Sequence, residues 1–376
     1  MSRPTYYLSV IYILLYAFLR KSAKSASVHP KKVVILQPSK LGDMICTTPT
    51  FAALKKHSPP TKLTVVGDNV NKQLLEGLSI VDSYIVKPHS WRELSKVLRE
   101  KNYDVGVTTG FGFFDLAALF FAGIPIIICP IVKDTARGVP NQTKAYKALS
   151  SFAIQKNFVI GEYVPRQYIS LLEPLGINEN GTTKHLVFSK EAKIKIEELN
   201  KKIGRTGIRA GIIFSAGNRI KEWAPCNFIE VARRLKEKHD CDIFFLGQNK
   251  KVFSQSEIAE IASVSKFDTI GIFSIDELKA FISTLDVVIG VDTGPIYIAE
   301  AFGVPTIDIV GPVDEHDQPP IGDKHKIVML EGRAVSAMHA MNARDYDSEE
   351  ARRQIDGITP DQVIKTFEEL LPFLKK

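Results

Sequence analysis

The chain has 376 residues, 45% hydrophobic and 24% charged, a globular balance too long for one ordinary core and suited to two domains. Its net charge is +7, yet residues 1–40 hold seven Lys and Arg and no acid, so the remainder sums to zero, which excludes a uniformly basic nucleic-acid binder. The four cysteines, Cys46, Cys129, Cys226 and Cys241, form no C-x-x-C pair; this argues against a disulfide framework or zinc site and fits a reducing cytoplasm, with the thiols as small buried hydrophobes.

The first segment is "YYLSVIYILLYAFL", Tyr6 to Leu19, followed by "RKSAKSASVHPKK". It is short of the ~20 residues that span a bilayer as a helix. A cleaved signal peptide, a buried extension and an interfacial anchor compete; the Tyr-rich, basic-flanked pattern favours peripheral membrane contact through residues 6–24. As an anchor, residues 1–29 are expected to be removable without loss of folding.

From Lys31 onward, short apolar runs alternate with helical patterns. "KVVILQ" (32–37), "KLTVVG" (62–67), "DSYIV" (82–86), "DVGVTT" (104–109) and "IPIIICP" (124–130) read as strands, with "LGDMICTTPTFAALKKH", "NVNKQLLEG", "WRELSKVLRE" and "FFDLAALFFAG" as helices. The stretch 131–207, with Pro140, Pro165, Pro174 and the charged "KEAKIKIEELNKKI", reads as a helical hairpin and linker. A second set follows: "AGIIFSAG" (210–217), "CDIFFLG" (241–247), "DVVIG" (286–290) and "VPTIDIVG" (304–311), again separated by helical patterns. Thr359 and Pro360 open a last helix, expected to cross back to the first domain. Strands apolar on both faces and separated by helices imply parallel sheets covered on two sides. The expected architecture is therefore α/β with two Rossmann-like doubly wound domains facing a cleft: an N-terminal segment (1–30), a first domain (31–165), linker helices (166–207) and a second domain (208–376).

Ligands of such sheets bind at the carboxyl ends of the strands. The first such loop supplies Ser39, Lys40, Gly42 and, in the first helical turn, Asp43. Asp43 reads either as an acid complementing the helix dipole or as a general base facing the cleft. In "SAGNRIKEWAPCNF", Ser215, Gly217 and Asn218 let backbone N–H groups approach an oxyanion, and Lys221 adds a mobile cation suited to a diphosphate; Trp223 reads as a packing anchor. In the third loop, Asp292, Thr293 and Gly294 form a turn before a short helix whose N-terminus suits a phosphate. Asp292 reads as accepting backbone N–H bonds or taking a sugar hydroxyl. The triplets Asp240-Cys241-Asp242 and Asp345-Tyr346-Asp347 read as solvated acids rather than metal ligands.

Together, "SKLGDMICTTPTFAALKKH", "FSAGNRIKEWAP" and "GVDTGPIYIAEAFGVPTIDIVGPVDEHDQ" resemble glycosyltransferase family 9, which contains the bacterial lipopolysaccharide heptosyltransferases, over residues 31–374. The resemblance implies a GT-B fold and an inverting transfer from a nucleotide sugar, typically ADP-heptose, to a lipid-linked saccharide acceptor of the lipopolysaccharide core. It implies a cytoplasmic enzyme, peripheral at the inner membrane, with no metal or other cofactor and no nucleic-acid partner. Carried over by motif, Asp43 is the base, Lys221 stabilises the leaving diphosphate, and Asp292, Thr293 and Gly294 bind phosphate and sugar. Two departures stand out: Tyr297 occupies a position where the family often has histidine, and Ala224 interrupts the "WP" pair. A UDP-hexose-dependent transferase of the same fold and a non-catalytic nucleotide-sugar-binding member are the alternatives. A nicotinamide-dependent oxidoreductase is disfavoured, because "SKLGD" stands where G-x-G-x-x-G would be needed.

Overall fold

The structure is a computed structural model and describes residues 3–20, 30–133, 142–333, 335–339 and 346–374. Helix α1 (Arg3–Leu19) precedes the first sheet. That sheet is built from β1 (Lys32–Leu36), α2 (Leu41–His57), β2 (Lys62–Gly67), α3 (Asn69–Leu75), β3 (Ser83–Val86), α4 (Trp91–Lys101), β4 (Val105–Thr108), α5 (Phe113–Ala122), β5 (Ile126–Ile131), α6 (Lys144–Ser150) and β6 (Ile154–Asn157). The strand order is β3-β2-β1-β4-β5-β6, all parallel, with Val33 opposite both Leu63 and Val105. Two helices, α7 (Val164–Ser170) and α8 (Lys190–Ile203), lead to the second domain.

The second domain runs β7 (Arg209–Ile213), α9 (Pro225–His239), β8 (Asp242–Leu246), α10 (Gln255–Val264), α11 (Ile275–Ile282), β9 (Val287–Val291), α12 (Gly294–Ala301), β10 (Thr306–Ile309), β11 (His325–Val328), α13 (Ser348–Asp356) and α14 (Pro360–Leu370). Its parallel sheet has the order β11-β10-β9-β7-β8. Central strands such as β4, β7 and β9 are buried along their whole length, which is why they read as continuous apolar runs.

Three expectations are corrected. First, the stretch 131–207 is not only a linker, because α6 and β6 complete the first sheet. β6 is an edge strand, Ile-Gln-Lys-Asn, exposed at alternate residues, so it offers no apolar run to read; β11, His-Lys-Ile-Val at an edge of the second sheet, opens on two polar residues and leaves too short an apolar run. Second, α14 does not cross back. Its face of Val363, Ile364, Phe367 and Leu370 is buried in the outer core of the second domain, where it packs on α9, β10 and β11. Covering that sheet face removes the apolar surface a returning helix would have carried elsewhere. Third, Asp242 is buried rather than solvated: it accepts hydrogen bonds from Thr206 N and Oγ1 and pairs with Lys266. Asp240 is a left-handed helix cap, and Asp347 caps α13 by accepting from Glu349 N and Glu350 N; Asp345 lies outside the described residues. Of the cysteines, Cys226 is exposed and the others are buried.

One apolar core is shared between the domains. It runs from the first sheet through α2 and α7 into α11, α12 and the inner face of the second sheet at Ile213, Phe244 and Val288. Each large apolar side chain fully buried there contributes roughly 1.5–3 kcal/mol. The segment after α7 crosses this interface: Lys184, with no side-chain exposure, bonds Glu300 of α12 at 2.5 Å, and His185 N donates to Thr48 Oγ1 of α2. The domains are thereby held with the N-termini of α2 and α12 facing one cleft.

Candidate active site

The cleft between the domains has a volume of about 1840 Å³. All of Ser39, Lys40, Gly42, Asp43, Ser215, Gly217, Asn218, Lys221, Asp292, Thr293, Gly294 and Tyr297 line it. The loops that carry them all follow the carboxyl ends of parallel strands, as the topology requires.

Asp43 sits in the first turn of α2, whose N-cap, Lys40, makes no side-chain cap, so the helix N-terminus is open to the cleft. The following "TTP" keeps the helix intact around Pro49, since the Thr48 hydroxyl donates to the Ile45 carbonyl that Pro49 cannot serve. Burial raises the Asp43 carboxyl above its ordinary value of 3.8; a hydrogen bond from Gln318 Nε2 to Oδ1 at 3.0 Å and the charge of Lys221 oppose that rise. A desolvated carboxylate with a single side-chain donor is a better proton acceptor than a solvated one.

The opposite wall is a closed charge network. Lys221 Nζ lies 2.5 Å from Asp292 Oδ2, and the Tyr297 hydroxyl donates to Asp292 Oδ1. Asp292 thus accepts from two side chains, and among the described residues no backbone N–H bonds its carboxylate, which was one of its two expected roles. Burial holds the Tyr297 phenol well above its usual range, which keeps it a donor. Behind this network stands Asp308 of β10, fully buried, its Oδ1 without a partner; burial first, and then the charge of Asp292, push its carboxyl well up.

The two glycines in the opposed motifs are explained by contact between them. A Cβ on Gly42 would lie 3.0 Å from the Tyr297 ring, and one on Gly294 would lie 2.2 Å from Leu41 Cδ2. They let the first turns of α2 and α12 approach across the cleft. Thr293 caps α12 without a side-chain hydrogen bond, leaving that N-terminus open as well. Lys40 is not confined to one wall: its Nζ donates to the Gly217 carbonyl across the cleft. Ser39 offers its carbonyl to Asn71 Nδ2. Asn218 caps a short 3-10 turn that carries Lys221, accepting from Ile220 N. The neighbouring Ala216 N donates to Glu222, and Trp223 is buried with its Nε1 donating to Ile358 O.

Sequence reasoning missed Gln318, Asp308 and the Lys184–Glu300 pair. Gln318 lay within the "GPVDEHDQ" stretch, but its partner is 275 residues away. Its loop is pinned by Val164 N bonding Asp317 O, and by His339, whose Nδ1 lies 3.2 Å from Asp314. Asp314, Asp317 and His339 are close enough to hold a metal ion together, although in this structure His339 faces both carboxylates itself.

The model of glycosyltransferase family 9 (heptosyltransferase) matches residues 91–345. Lipopolysaccharide heptosyltransferase 1 of Campylobacter coli is 25% identical over 304 residues, covering 74% of this chain and 84% of that protein. A family 9 glycosyl transferase structure from Veillonella parvula DSM 2008 superposes with a TM-score of 0.72 at 20% identity, covering 93% of this chain and 99% of the other. The structure of the E. coli ADP-heptose lps heptosyltransferase II gives a TM-score of 0.66 at 18% identity, with 91% and 98% covered. With two facing Rossmann-like domains and a family match over most of its length, the chain belongs to glycosyltransferase family 9 and is a glycosyltransferase of lipopolysaccharide biosynthesis.

Proposed function

We propose that the enzyme transfers a sugar with inversion, heptose from ADP-heptose being the first donor to test, onto a saccharide of the lipopolysaccharide core at the cytoplasmic face of the inner membrane. The acceptor oxygen attacks the anomeric carbon as the bond from that carbon to the diphosphate breaks. Asp43 takes the acceptor proton, and the nucleoside diphosphate leaves carrying the negative charge. The observation that carries this reading is the opposition, across one cleft, of a desolvated carboxylate and a lysine beside an uncapped helix N-terminus. In this scheme the base and the leaving-group stabiliser act on opposite sides of the reacting carbon, as single displacement requires.

Lys221 serves the diphosphate by exchanging Asp292 for it, so donor binding and release of the Lys221–Asp292 pair are one event. Asp292, still held by Tyr297, is then free to accept a sugar hydroxyl. The scheme needs no metal, and turnover is expected to persist in EDTA. Support for heptose comes from the similarity to lipopolysaccharide heptosyltransferases. A UDP-hexose donor is the second reading: Tyr297, where the family often has histidine, and the buried Asp308 change the lining of the cleft.

Thermal unfolding with ADP, UDP, GDP, CMP and NAD at equal concentration tests the assignment, because a ligand of the native state raises the midpoint by mass action. An upward shift with ADP alone supports ADP-heptose. A shift with UDP alone replaces the donor, and a shift with NAD but neither ADP nor UDP overturns the proposal.

A further inference from the structure

Helix α1 carries apolar residues on two opposite stripes. The inner stripe is part of the first domain: Ile13 and Ala17 have no exposure, and Tyr16 stacks on Phe121 of α5 with ring centroids 4.0 Å apart. Tyr6 meets Phe114 edge-on, so the helix is tied to α5 along its length. The outer stripe repeats at i, i+3, i+7 and i+11 and faces away: Leu8 is 68% exposed, Ile11 56%, Leu15 60% and Leu19 82%. Tyr7 and Tyr12 flank it, also exposed. A contiguous row of large apolar side chains on the outside of a folded domain marks an interaction surface.

Three observations select its occupant. At 1.5 Å per residue, the 17-residue helix spans about 26 Å, short of a ~30 Å hydrocarbon core, and among the described residues no helix is long and apolar enough to cross a membrane. Its inner face is committed to protein, so it can only lie flat. The whole net charge of the chain resides in residues 1–40, where Arg3, Arg20, Lys21 and Lys24 bracket the helix and no acid occurs. Apolar side chains outward, tyrosines beside them and cations at the ends match the layers of an anionic leaflet.

We infer that the outer stripe of α1 is a docking surface for an anionic lipid bilayer, into which Leu8, Ile11, Leu15 and Leu19 insert while the helix lies in the plane of the interface. Because the inner stripe is built into the first domain, docking fixes the orientation of that domain, and not merely its distance, relative to the membrane. Point substitutions on the outer stripe probe this surface more selectively than deletion of residues 1–29, which would also remove the packing of α1 on Phe114 and Phe121.

The inference presupposes a lipid-linked acceptor only for its purpose; its test does not use turnover to read binding. The full chain is sedimented with phosphatidylcholine vesicles and with phosphatidylcholine/phosphatidylglycerol vesicles, alongside the double variant Leu8→Glu, Leu15→Glu. The native chain should bind the phosphatidylglycerol vesicles more tightly, and the variant should lose about 10-fold or more in partitioning while its melting temperature and nucleotide-induced shift stay unchanged. If the Glu pair lowers the melting temperature, Leu8→Ser with Leu15→Ser carries the same test without charge. Native protein that ignores both vesicle types, or variants that bind as well as native, overturns the inference. So does a dimer in light scattering that the variant dissociates, which would assign the stripe to a second copy of the chain.

Discussion

The two walls of the cleft are built on opposite electrostatic plans. On the first-domain wall, Asp43 is a carboxylate kept short of partners, with burial lifting its pKa and one amide from the other domain restraining it. On the second-domain wall, Asp292 has its two oxygens served by Lys221 and Tyr297 and needs nothing more. The contrast separates a group poised to take a proton from a group that holds a cation ready. A base must be under-solvated to be basic, whereas a leaving-group cation must be kept in place until the charge it serves develops.

Asp43→Asn should break the first wall outright. It keeps the shape and removes the base, so kcat should fall by about 10²–10⁴-fold with the donor dissociation constant unchanged, measured by single-turnover kinetics and by calorimetry. Unchanged turnover would dismiss Asp43 as the base. On the second wall, Lys221→Met should cost about 10²–10³-fold in kcat and weaken donor binding as well. It also strands a partly buried Asp292, lowering stability by about 1–3 kcal/mol, readable in urea denaturation. Loss of stability with normal kinetics would make Lys221 purely structural.

The pH dependence sharpens the comparison. Asp43 must be ionised to act, so the rate should rise with pH through a value above the ordinary aspartate range. Its folded pKa is raised, so its contribution to stability is present at low pH and lost as pH rises through that same value. Activity and this part of the stability therefore run in opposite directions over one window, and Asp43→Asn should flatten both. Gln318→Leu removes the donor to the charged form, so the acid limb of the rate profile should move further up, with melting nearly unaffected. An acid limb that stays put would detach Gln318 from the base. Tyr297→Phe is the mildest change: it deletes one hydrogen bond to Asp292 and should cost about 1 kcal/mol of stability and a few-fold in donor KM, with kcat little altered. A large kcat loss there would place Tyr297 against the reacting sugar.

Much of this was legible in the chain. The strands of both sheets that are buried on two faces announce themselves as apolar runs, and the helical patterns match their observed limits closely, with α2 and α8 starting and ending where their patterns do. The site loops were legible too, because a parallel sheet leaves only one end at which loops can meet. β6 and β11 were not, since Ile-Gln-Lys-Asn and His-Lys-Ile-Val each hold too few apolar residues in a row to carry a signal. Nor was the partner of Asp292, as sequence cannot say which of a lysine 71 residues away, a tyrosine five residues on or the backbone will reach it.

What the sequence alone determined is the architecture and the inventory: two doubly wound sheets, an acid at the head of α2, a lysine loop, a helix opened by Asp292-Thr293-Gly294, and an apolar helix between cations at the start. These follow from local periodicity and composition, which act over a few residues. Tertiary structure decided what each group faces. It placed Gln318 on Asp43, closed Lys221 and Tyr297 around Asp292, buried Asp308 beside them and turned one stripe of α1 inward and the other outward. Those outcomes depend on desolvation and on contacts between residues far apart in the chain, which arise only when the elements pack, and for the Gln318–Asp43 bond only when the two domains meet.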